Sequence, residues 1–559
     1  MSARIAFLSL CLLIFAVAFF NITYAANITL DADVEFQTME GWGASSNFFE
    51  ERIGRLPAEN RETAFDFVYD DLGTNILCIR LYSDFQIEEG GDYNWGCMAV
   101  QRMIVNEALE RGKINTIWLK VSSPPGWMKD NNDARHAGNV LEEHYQNYAD
   151  YLTYYVSHMR DDYGITIDAV SIFNEPGWPH NNVNYESTST SPEAYRDVLK
   201  FVGQTFEEND LDDVMLIGPE SGHITGDRGC LNTYLPVIFA DSIATSYLDK
   251  ITTHQYGDQL VVYGTGPADN WAGLRDLAAE NSLPIWETEM FIGGNNQATE
   301  DIVEGLKVAL LMWTAVTQGN VTAWHYWQYI NPDESEDNKS QGVVAIAPRV
   351  NEIEVFPRYY CMKQWTRNVP QGSIRIDAVS DDENLHVAGF KVEDDIVIVA
   401  FNRTEEVIAA NFEMELISGE IEHIRTSARE NYISQDALQY NNQGFEVELP
   451  SNSICTFIVP TGHTAIEQDG SVPEDFNILR CYPNPFNSRM QIEFELPYAS
   501  KVGLNILNIS GERLKSLTNR EYSAGIHKLE FDATGYPAGI YFVSLNSYKR
   551  TAKKICLIK

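Results

Sequence analysis

The sequence predicts an α/β protein whose main domain is a (β/α)8 barrel. From about residue 40 to 330, short apolar runs alternate with longer segments of helical periodicity, which is typical of successive βα units around a parallel sheet. Eight such runs occur, and eight strands are what a closed barrel needs. A doubly wound open sheet alternates in the same way, but the length and the absence of a glycine-rich phosphate loop favour the barrel.

Each predicted barrel strand is a short apolar run that ends at turn or polar residues. The eight strands are predicted at residues 41–44, 76–81, 116–121, 169–173, 214–217, 251–254, 284–288 and 322–327. Between the third and fourth strands, Tyr145, Tyr148, Leu152 and Tyr155 form an apolar stripe with helical spacing. We therefore expect the barrel to occupy residues 40–340.

The remaining segments predict further all-β domains. After residue 340 the pattern changes to alternating strands separated by turn residues, which predicts a side-by-side antiparallel β-sandwich over 341–460. The strand-like segment 27–39 is expected to join this sandwich. Residues 461–475 are polar and aperiodic and predict a linker, followed by a small C-terminal all-β domain at 476–559.

Composition and the N-terminus indicate an exported protein. Residues 1–25 carry Arg4, an apolar run over 5–20 and a final Thr-Tyr-Ala, which is the pattern of a cleaved signal peptide. The formal net charge of −40 argues against nucleic acid as a partner, because Lys and Arg contacts to phosphates dominate such binding. We expect a monomer.

The cysteines and histidines give no sign of a metal centre or a disulfide framework. Of the eight cysteines, the seven outside the signal are scattered and odd in number. No CxxC or HExxH spacing occurs, so we expect neither a metal nor another cofactor.

Two carboxylates end otherwise apolar barrel strands. Glu175 lies in Phe173-Asn-Glu-Pro176 after the fourth strand, and Glu289 ends Trp286-Glu-Thr-Glu289 on the seventh. Active sites of (β/α)8 barrels lie at the C-terminal ends of the strands. A pair of carboxyl groups is what glycoside hydrolysis requires. The sequence therefore predicts a glycosidase site here.

Six motifs, in order, resemble glycoside hydrolase family 30. They are EGWGA at 40–44, SSPPGWMK at 122–129, FNEP at 173–176, THQY at 253–256, WETE at 286–289 and WHYW at 324–327. The resemblance covers about residues 27–460. It implies a retaining enzyme with a barrel and a β-sandwich, in which Glu175 is the acid/base and Glu289 the nucleophile.

Further site residues surround these two carboxylates. Asn174 is placed to hydrogen-bond the sugar 2-OH. Glu287 is a rival candidate for the nucleophile. If it does not have that role, we expect it to contact His254 or Arg80. The remaining expectations are a cation at Arg80 that orients the nucleophile, a hydrogen bond from Tyr256 to Glu289, sugar platforms at Trp127, Trp178 and Trp327, and either a packing role or substrate contact for His254.

The C-terminal segment carries a second resemblance. Residues 481–487 read CYPNPFN, residues 538–542 read AGIYF, and Lys553 and Lys554 are basic near the end. This pattern resembles the sorting domain of the type IX secretion system, and a carbohydrate-binding module is the alternative. The resemblance implies a Gram-negative bacterium that releases the protein or displays it on its surface.

The resemblance leaves several β-glycans open as substrates. The segments 373–379 and 396–402 look most like the xylanase branch, so β-1,4-xylan is the expected substrate. The alternatives are a β-1,6-glucanase or β-1,6-galactanase, a glucosylceramidase-type enzyme, and a non-catalytic glycan-binding surface protein. The loop 329–339 after the eighth strand has four carboxylates and no arginine, which predicts no requirement for glucuronate on the substrate.

Overall fold

The computed structural model divides the chain into two compact units, residues up to Gly462 and residues from His463 onward. It describes residues 25–47, 50–177, 183, 185–226, 228–258, 269–292, 301–332, 342–346, 353–414, 419–441, 443–461, 477–482, 486, 489–496, 500–508, 513–522, 525–546 and 550–557. The predicted export signal and linker lie outside the described residues, apart from Ala25 and Thr461.

The first unit contains a closed barrel of eight parallel strands. After strand β1 (Ala26–Thr38), the barrel strands β2–β9 are Gly41–Ser45, Ile76–Leu81, Thr116–Val121, Ala169–Ser171, Met215–Ser221, Lys250–His254, Ile285–Met290 and Ala323–Tyr326. Each strand pairs in parallel with the next along the chain, and β9 closes the ring on β2. The predicted (β/α)8 barrel is therefore confirmed.

The barrel interior changes from apolar to charged along the strands. A buried cluster from six strands fills the interior: Ile76, Cys78, Trp118, Ala169, Ile217, Trp286 and Ala323. Arg80 follows Cys78 by two residues and Lys120 follows Trp118 by two, so both point to the same side of their strands as that cluster. The charged layer therefore lies toward the C-terminal ends of the strands, where barrel enzymes place their sites.

Helices surround the barrel and are set by local sequence signals. The α-helices α1–α10 are Glu50–Gly54, Ala58–Phe65, Ala99–Glu110, Tyr145–Tyr163, Pro192–Glu208, Leu235–Phe239, Ser242–Tyr247, Trp271–Asn281, Ile302–Gln318 and Pro357–Thr366. Helix α4 buries the predicted tyrosine stripe and ends at Gly164, whose φ of 66° suits glycine. Helix α5 begins where Ser191 accepts a hydrogen bond from the Ala194 N–H, with Pro192 in the first turn.

A ten-stranded sheet forms the β-sandwich of the first unit. Between barrel and sandwich, β10–β12 (Gln328–Pro332, Gly342–Ile346 and Ile353–Val355) form a small sheet. The sandwich strands β13–β21 are Ile374–Ser380, Leu385–Val392, Asp395–Asn402, Ile408–Glu413, Gly419–Ser427, Glu430–Ser434, Leu438–Tyr440, Gly444–Leu449 and Ser453–Pro460. As predicted, the segment before the barrel joins this sheet, because β1 pairs with β13 and β16.

The sheet folds over on itself and also packs against the barrel. Phe445 on β20 and Phe457 on β21 lie far apart in strand order, yet their ring centroids are 5.3 Å apart. On β15, Ile396 and Ile398 belong to the sandwich core, whereas Val397 and Val399 belong to the core shared with the barrel. This alternation follows from the two-residue period of a strand.

The second unit is a separate all-β domain. Its strands β22–β28 are Asn477–Tyr482, Arg489–Leu496, Ser500–Leu507, Arg513–Tyr522, Gly525–Asp532, Gly539–Asn546 and Arg550–Leu557. They form a three-stranded and a four-stranded sheet around one apolar core. Across the described parts of both units, no helix is long and apolar enough to cross a membrane.

Candidate active site

Glu175 and Glu289 meet at the C-terminal end of the barrel. Glu175 follows β5 with a φ of 46°, and its N–H donates to the carbonyl oxygen of Glu220 at 2.9 Å. Glu289 lies on β8. One carboxylate oxygen of Glu175, one of Glu289 and a ring nitrogen of His254 all lie within 4.8 Å of one another. The two carboxyl groups predicted from strand ends therefore lie close together at the same end of the barrel.

Each carboxylate oxygen of Glu289 has its own partner. The Lys120 ammonium lies 2.5 Å from Oε2, and the Tyr256 hydroxyl donates to Oε1 at 2.8 Å. The side chain of Glu289 is 9% exposed, so these contacts are only weakly screened by solvent. The cation and the hydroxyl together hold the Glu289 side chain in place, and the expected contact from Tyr256 is present.

His254 is a buried cation between carboxylates. Its Nδ1 lies 3.1 Å from Glu175 Oε1 and its Nε2 lies 3.3 Å from Glu220 Oε2, with a side chain of zero exposure. Burial by itself would lower the pKa of His254, but the surrounding carboxylates outweigh burial and raise the pKa to about 10. Both ring nitrogens therefore act as donors. The ring contacts Glu175 and Glu220 directly.

Two charged residues of this cluster were missed in the sequence. Lys120 lies on β4 with a 2% exposed side chain, and its ammonium is 3.5 Å from the carboxylate of Glu220 at the end of β6. Burial by itself would lower the pKa of Lys120, but Glu289 and Glu220 raise it. Burial by itself would raise the pKa of Glu220, but Lys120 and His254 lower it to about 2. Both groups are therefore charged across the pH range of an ordinary enzyme assay.

The expected contact between Arg80 and the nucleophile is wrong. Arg80 pairs with Glu186, whose Oε2 lies 2.6 Å from the guanidinium, and the other Glu186 oxygen accepts from Ser83. Lys120, which is in register with Arg80 on the neighbouring strand, supplies the cation to Glu289. Arg80 is drawn away because a nearly buried carboxylate faces it at ion-pair distance.

Glu287 lies deeper than Glu289 and is held by the backbone. Its two oxygens accept from the N–H groups of Glu289 and His325, each at 3.2 Å. Burial raises the pKa of Glu287 well above the ordinary carboxyl range. Both oxygens of Glu287 thus bind backbone N–H groups, whereas the sequence predicts the side chain of Arg80 or His254 as its partner.

Aromatic side chains and one amide border the carboxylates. Trp327 is partly buried, and the Lys120 ammonium lies 5.4 Å from its ring centroid. Tyr185 is 39% exposed, and burial together with Glu175 and Glu289 raises its pKa to about 12, so it lies near the pair. The Asn174 Oδ1 is buried and has no hydrogen-bond partner among the described residues.

Of the two other predicted platforms, the structure describes Trp127. Trp127 is partly buried, with its indole N–H bonded to the Gln86 carbonyl at 3.2 Å and its ring 5.2 Å from that of His144. Trp178 lies outside the described residues, as does the acidic part of the loop after β10, residues 333–341.

The three clustered ligand atoms of Glu175, His254 and Glu289 are close enough to surround a metal ion. However, Lys120 already faces Glu289 and the His254 imidazolium faces Glu175. A divalent cation at this position would meet two fixed positive charges at short range. These three residues therefore suit a metal centre less well than a pair of carboxyl groups whose charge is balanced by Lys120 and His254.

Comparison with known families agrees with this architecture. Residues 80–340 match O-glycosyl hydrolase family 30, and residues 480–559 match the secretion system C-terminal sorting domain. The glucuronoxylanase XynC of Bacillus subtilis strain 168 is 25% identical over 443 residues, covering 78% of this chain and 92% of the relative. The putative glucosylceramidase 2 of Caenorhabditis elegans is 21% identical over 395 residues, 64% of this chain and 74% of the relative.

Solved structures share the fold of the first unit. The family 30 subfamily 8 xylanase Xyn30A from Clostridium acetobutylicum superposes with a TM-score of 0.63 at 24% identity, covering 78% of this chain and 99% of that one. The endo-β1,6-glucanase BT3312 gives 0.61 at 17% identity, covering 78% and 94%. The barrel of this chain is thus a glycoside hydrolase family 30 domain, its C-terminal unit is a secretion sorting domain, and the protein is an O-glycosyl hydrolase.

Proposed function

We propose that this hydrolase is a retaining endo-β-glycosidase that cleaves a plant-type polysaccharide, β-1,4-xylan, by double displacement. The observation that carries the proposal is the spacing of Glu175 and Glu289, which have carboxylate oxygens within 4.8 Å. Retaining glycosidases keep their two carboxyl groups roughly 5–5.5 Å apart, whereas inverting enzymes leave room for a water between them. In this proposal Glu289 is the nucleophile and Glu175 the acid/base.

The first step forms a glycosyl ester. A carboxylate oxygen of Glu289 bonds to the anomeric carbon, and the glycosidic C–O bond breaks with its electron pair passing to the leaving oxygen. That oxygen takes the proton of Glu175. In the second step Glu175, now ionised, removes a proton from water, the water oxygen bonds to the anomeric carbon, and Glu289 leaves as a carboxylate.

Glu289 is the better nucleophile of the two glutamates on β8. Its oxygens face Lys120 and Tyr256 and retain some exposure, whereas Glu287 is fully buried with both oxygens bound to backbone N–H groups. A nucleophile must reach the anomeric carbon, which a carboxylate held deeper in the barrel does not.

The remaining polar and aromatic groups would bind the sugar. The Oδ1 of Asn174, which has no hydrogen-bond partner among the described residues, is an acceptor that fits a donating sugar 2-OH, an interaction that strengthens in the transition state. Trp127 and Trp327 offer flat partly buried rings for pyranose faces, and Trp178 is proposed for the same role from the sequence alone. Arg80, through Glu186, and His254, through Glu175, would act on the substrate only indirectly.

The relatives favour xylan but leave a second candidate. The Bacillus subtilis relative at 25% identity is a glucuronoxylanase, and Xyn30A is a xylanase. However, BT3312, an endo-β1,6-glucanase, has nearly the same structural similarity. A β-1,6-glucan is therefore the second candidate substrate.

A panel of β-glycans tests the proposal. Purified protein should release reducing ends from arabinoxylan and glucuronoxylan, and more slowly or not at all from β-1,6-glucan, β-1,6-galactan and glucosylceramide. Proton NMR of the first xylan product should show the β-anomer. An initial α-anomer, or hydrolysis confined to a β-1,6-glucan, would overturn the mechanism or the substrate, respectively.

The secretion route and assembly are also proposals. The sorting domain match supports export by type IX secretion machinery in a Gram-negative bacterium, with the enzyme released or displayed at the cell surface. We propose that the enzyme acts as a monomer, which size-exclusion chromatography with light scattering would test.

A further inference from the structure

Three charged side chains, those of Lys120, His254 and Glu220, lie around the carboxyl groups of Glu175 and Glu289. Lys120 and His254 are cations with side chains at most 2% exposed, and Glu220 is a fully buried anion. Lys120 contacts Glu289 and Glu220. His254 contacts Glu175 and Glu220, and its Nδ1 also lies 3.7 Å from Glu289 Oε1. The three residues therefore carry a net charge of +1, placed between the two proposed reacting groups.

The proposed reaction moves one negative charge within this cluster. Before glycosylation Glu289 is ionised and Glu175 holds a proton. In the glycosyl-enzyme Glu289 is a neutral ester and Glu175 is ionised, because its proton has left with the leaving group. Each state thus has one negative charge. It lies next to both Lys120 and His254 in the first state and next to His254 in the second.

We propose that Lys120, Glu220 and His254 form a fixed frame of net charge +1 that keeps the buried cluster neutral while one negative charge alternates between Glu289 and Glu175. The inference rests on the proposed function and assigns Lys120 and Glu220 as positioning residues for both steps. In a buried site an unbalanced charge is costly, so a frame with a different net charge would disfavour one of the two states.

Among the described residues, the other titratable groups near the frame do not change its net charge. Burial lowers the pKa of His325, which lies near Lys120 and Glu220, to about 4, so this ring stays neutral. The Cys78 thiol lies near Lys120, and burial raises its pKa to about 12, so it stays neutral. Tyr256 bonds to Glu289, and burial raises its pKa well above the ordinary value. Glu287 also lies near His254, and burial raises its pKa as well. Arg80 is paired with Glu186.

Charge-changing variants of Lys120 and Glu220 test the frame. Lys120→Met lowers the net charge of the frame to zero, which disfavours the ionised form of Glu289 relative to the protonated form. We expect kcat/KM on xylan to fall about 100-fold and the acid limb of its pH profile to move up by about one unit or more. Glu220→Gln raises the frame to +2, which favours ionised Glu175, so the alkaline limb should move down by a similar amount.

The double variant Lys120→Met/Glu220→Gln restores the net charge of +1. We expect both limbs to return toward their wild-type positions and kcat/KM to exceed that of Lys120→Met by about tenfold. The proposal is refuted if the loss of kcat/KM in the double variant equals the product of the losses in the two single variants and both limbs of its pH profile stay displaced. This multiplied loss is the result expected if Lys120 acts only through its own contact with Glu289.

Controls separate the frame from folding and from the proposed function. Lys120→Arg keeps the charge and should leave the acid limb in place; a limb displaced as far as in Lys120→Met would overturn the proposal even if the double variant fails to fold. Lys250→Met removes a buried cation that pairs with Glu40 at 2.6 Å elsewhere in the barrel, and should move neither limb. Hydrolysis by the wild type that is lost in Glu289→Ala supports the proposed function whatever these variants show.

Discussion

The hydroxyl of Tyr256 donates a hydrogen bond to Oε1 of Glu289, the carboxylate oxygen that Lys120 does not contact. The tyrosine ring is also fixed, since it packs edge-on against His254 and Phe291 with centroids 5.7 Å away. Removing the hydroxyl should therefore leave the ring in place and free one oxygen of the nucleophile to rotate.

We expect Tyr256→Phe to lower kcat by about 100-fold, at the lower end of the range found for the loss of one donor at a reacting group. KM should change little, because the hydroxyl contacts Glu289 rather than the sugar. Steady-state kinetics on xylan check this expectation. A kcat within twofold of the wild type would show that Tyr256 does not orient the nucleophile.

Gly222 gives the Glu175 side chain its space. A Cβ at this position would lie 2.8 Å from Glu175 Oε1, closer than real Cβ contacts. Gly222→Ala should therefore displace the carboxyl group from the leaving oxygen. Hydrolysis of xylan should fall by about 100-fold or more, whereas an aryl glycoside with a very good leaving group, which needs no proton, should keep fast glycosylation. Equal losses on the two substrates would argue against Glu175 as the acid.

The raised pKa of His254 predicts how stability varies with pH. A group whose pKa is higher in the folded state stabilises that state fully below its ordinary pKa of 6.5, and this contribution is lost as pH rises through about 10. The difference in Tm between the wild type and His254→Gln should therefore be largest near pH 6 and should shrink up to pH 10. Thermal unfolding across this range measures it, and a constant gap would mean that His254 is neutral when folded.

Residues at strand ends were predictable from the sequence, because their position alone identifies them. Glu175 and Glu289 each follow an apolar run, and parallel strands in a barrel bring such ends together. Tyr256 comes two residues after His254, the last residue of β7, so the sequence also places it at the C-terminal end of the barrel.

The cations were harder to assign. Lys120 lies within an apolar strand, where its spacing of two from Trp118 was the available signal that it points inward. Glu220 adopts a φ of 57° after Pro219, a local conformation that strand periodicity does not predict. Arg80 has the same inward spacing as Lys120, and only the three-dimensional position of Glu186 decides which cation reaches Glu289.

The second unit has its own core, so the catalytic unit should not depend on it. A chain that ends at Gly462 should be soluble and should hydrolyse xylan with an unchanged kcat/KM, but should no longer be exported from its host. Kinetics on the purified protein and immunoblots of culture medium check both points. Normal export together with weaker xylan binding would instead indicate a carbohydrate-binding module.

The measurement that most directly tests the account is the identification of the glycosylated residue. A 2-deoxy-2-fluoro β-xyloside with a good leaving group should form the glycosyl ester faster than water can hydrolyse it, and mass spectrometry of the peptides then locates the sugar. We expect one sugar per chain, attached to Glu289. Attachment to Glu287, or turnover with no trapped ester at all, would contradict double displacement through Glu289.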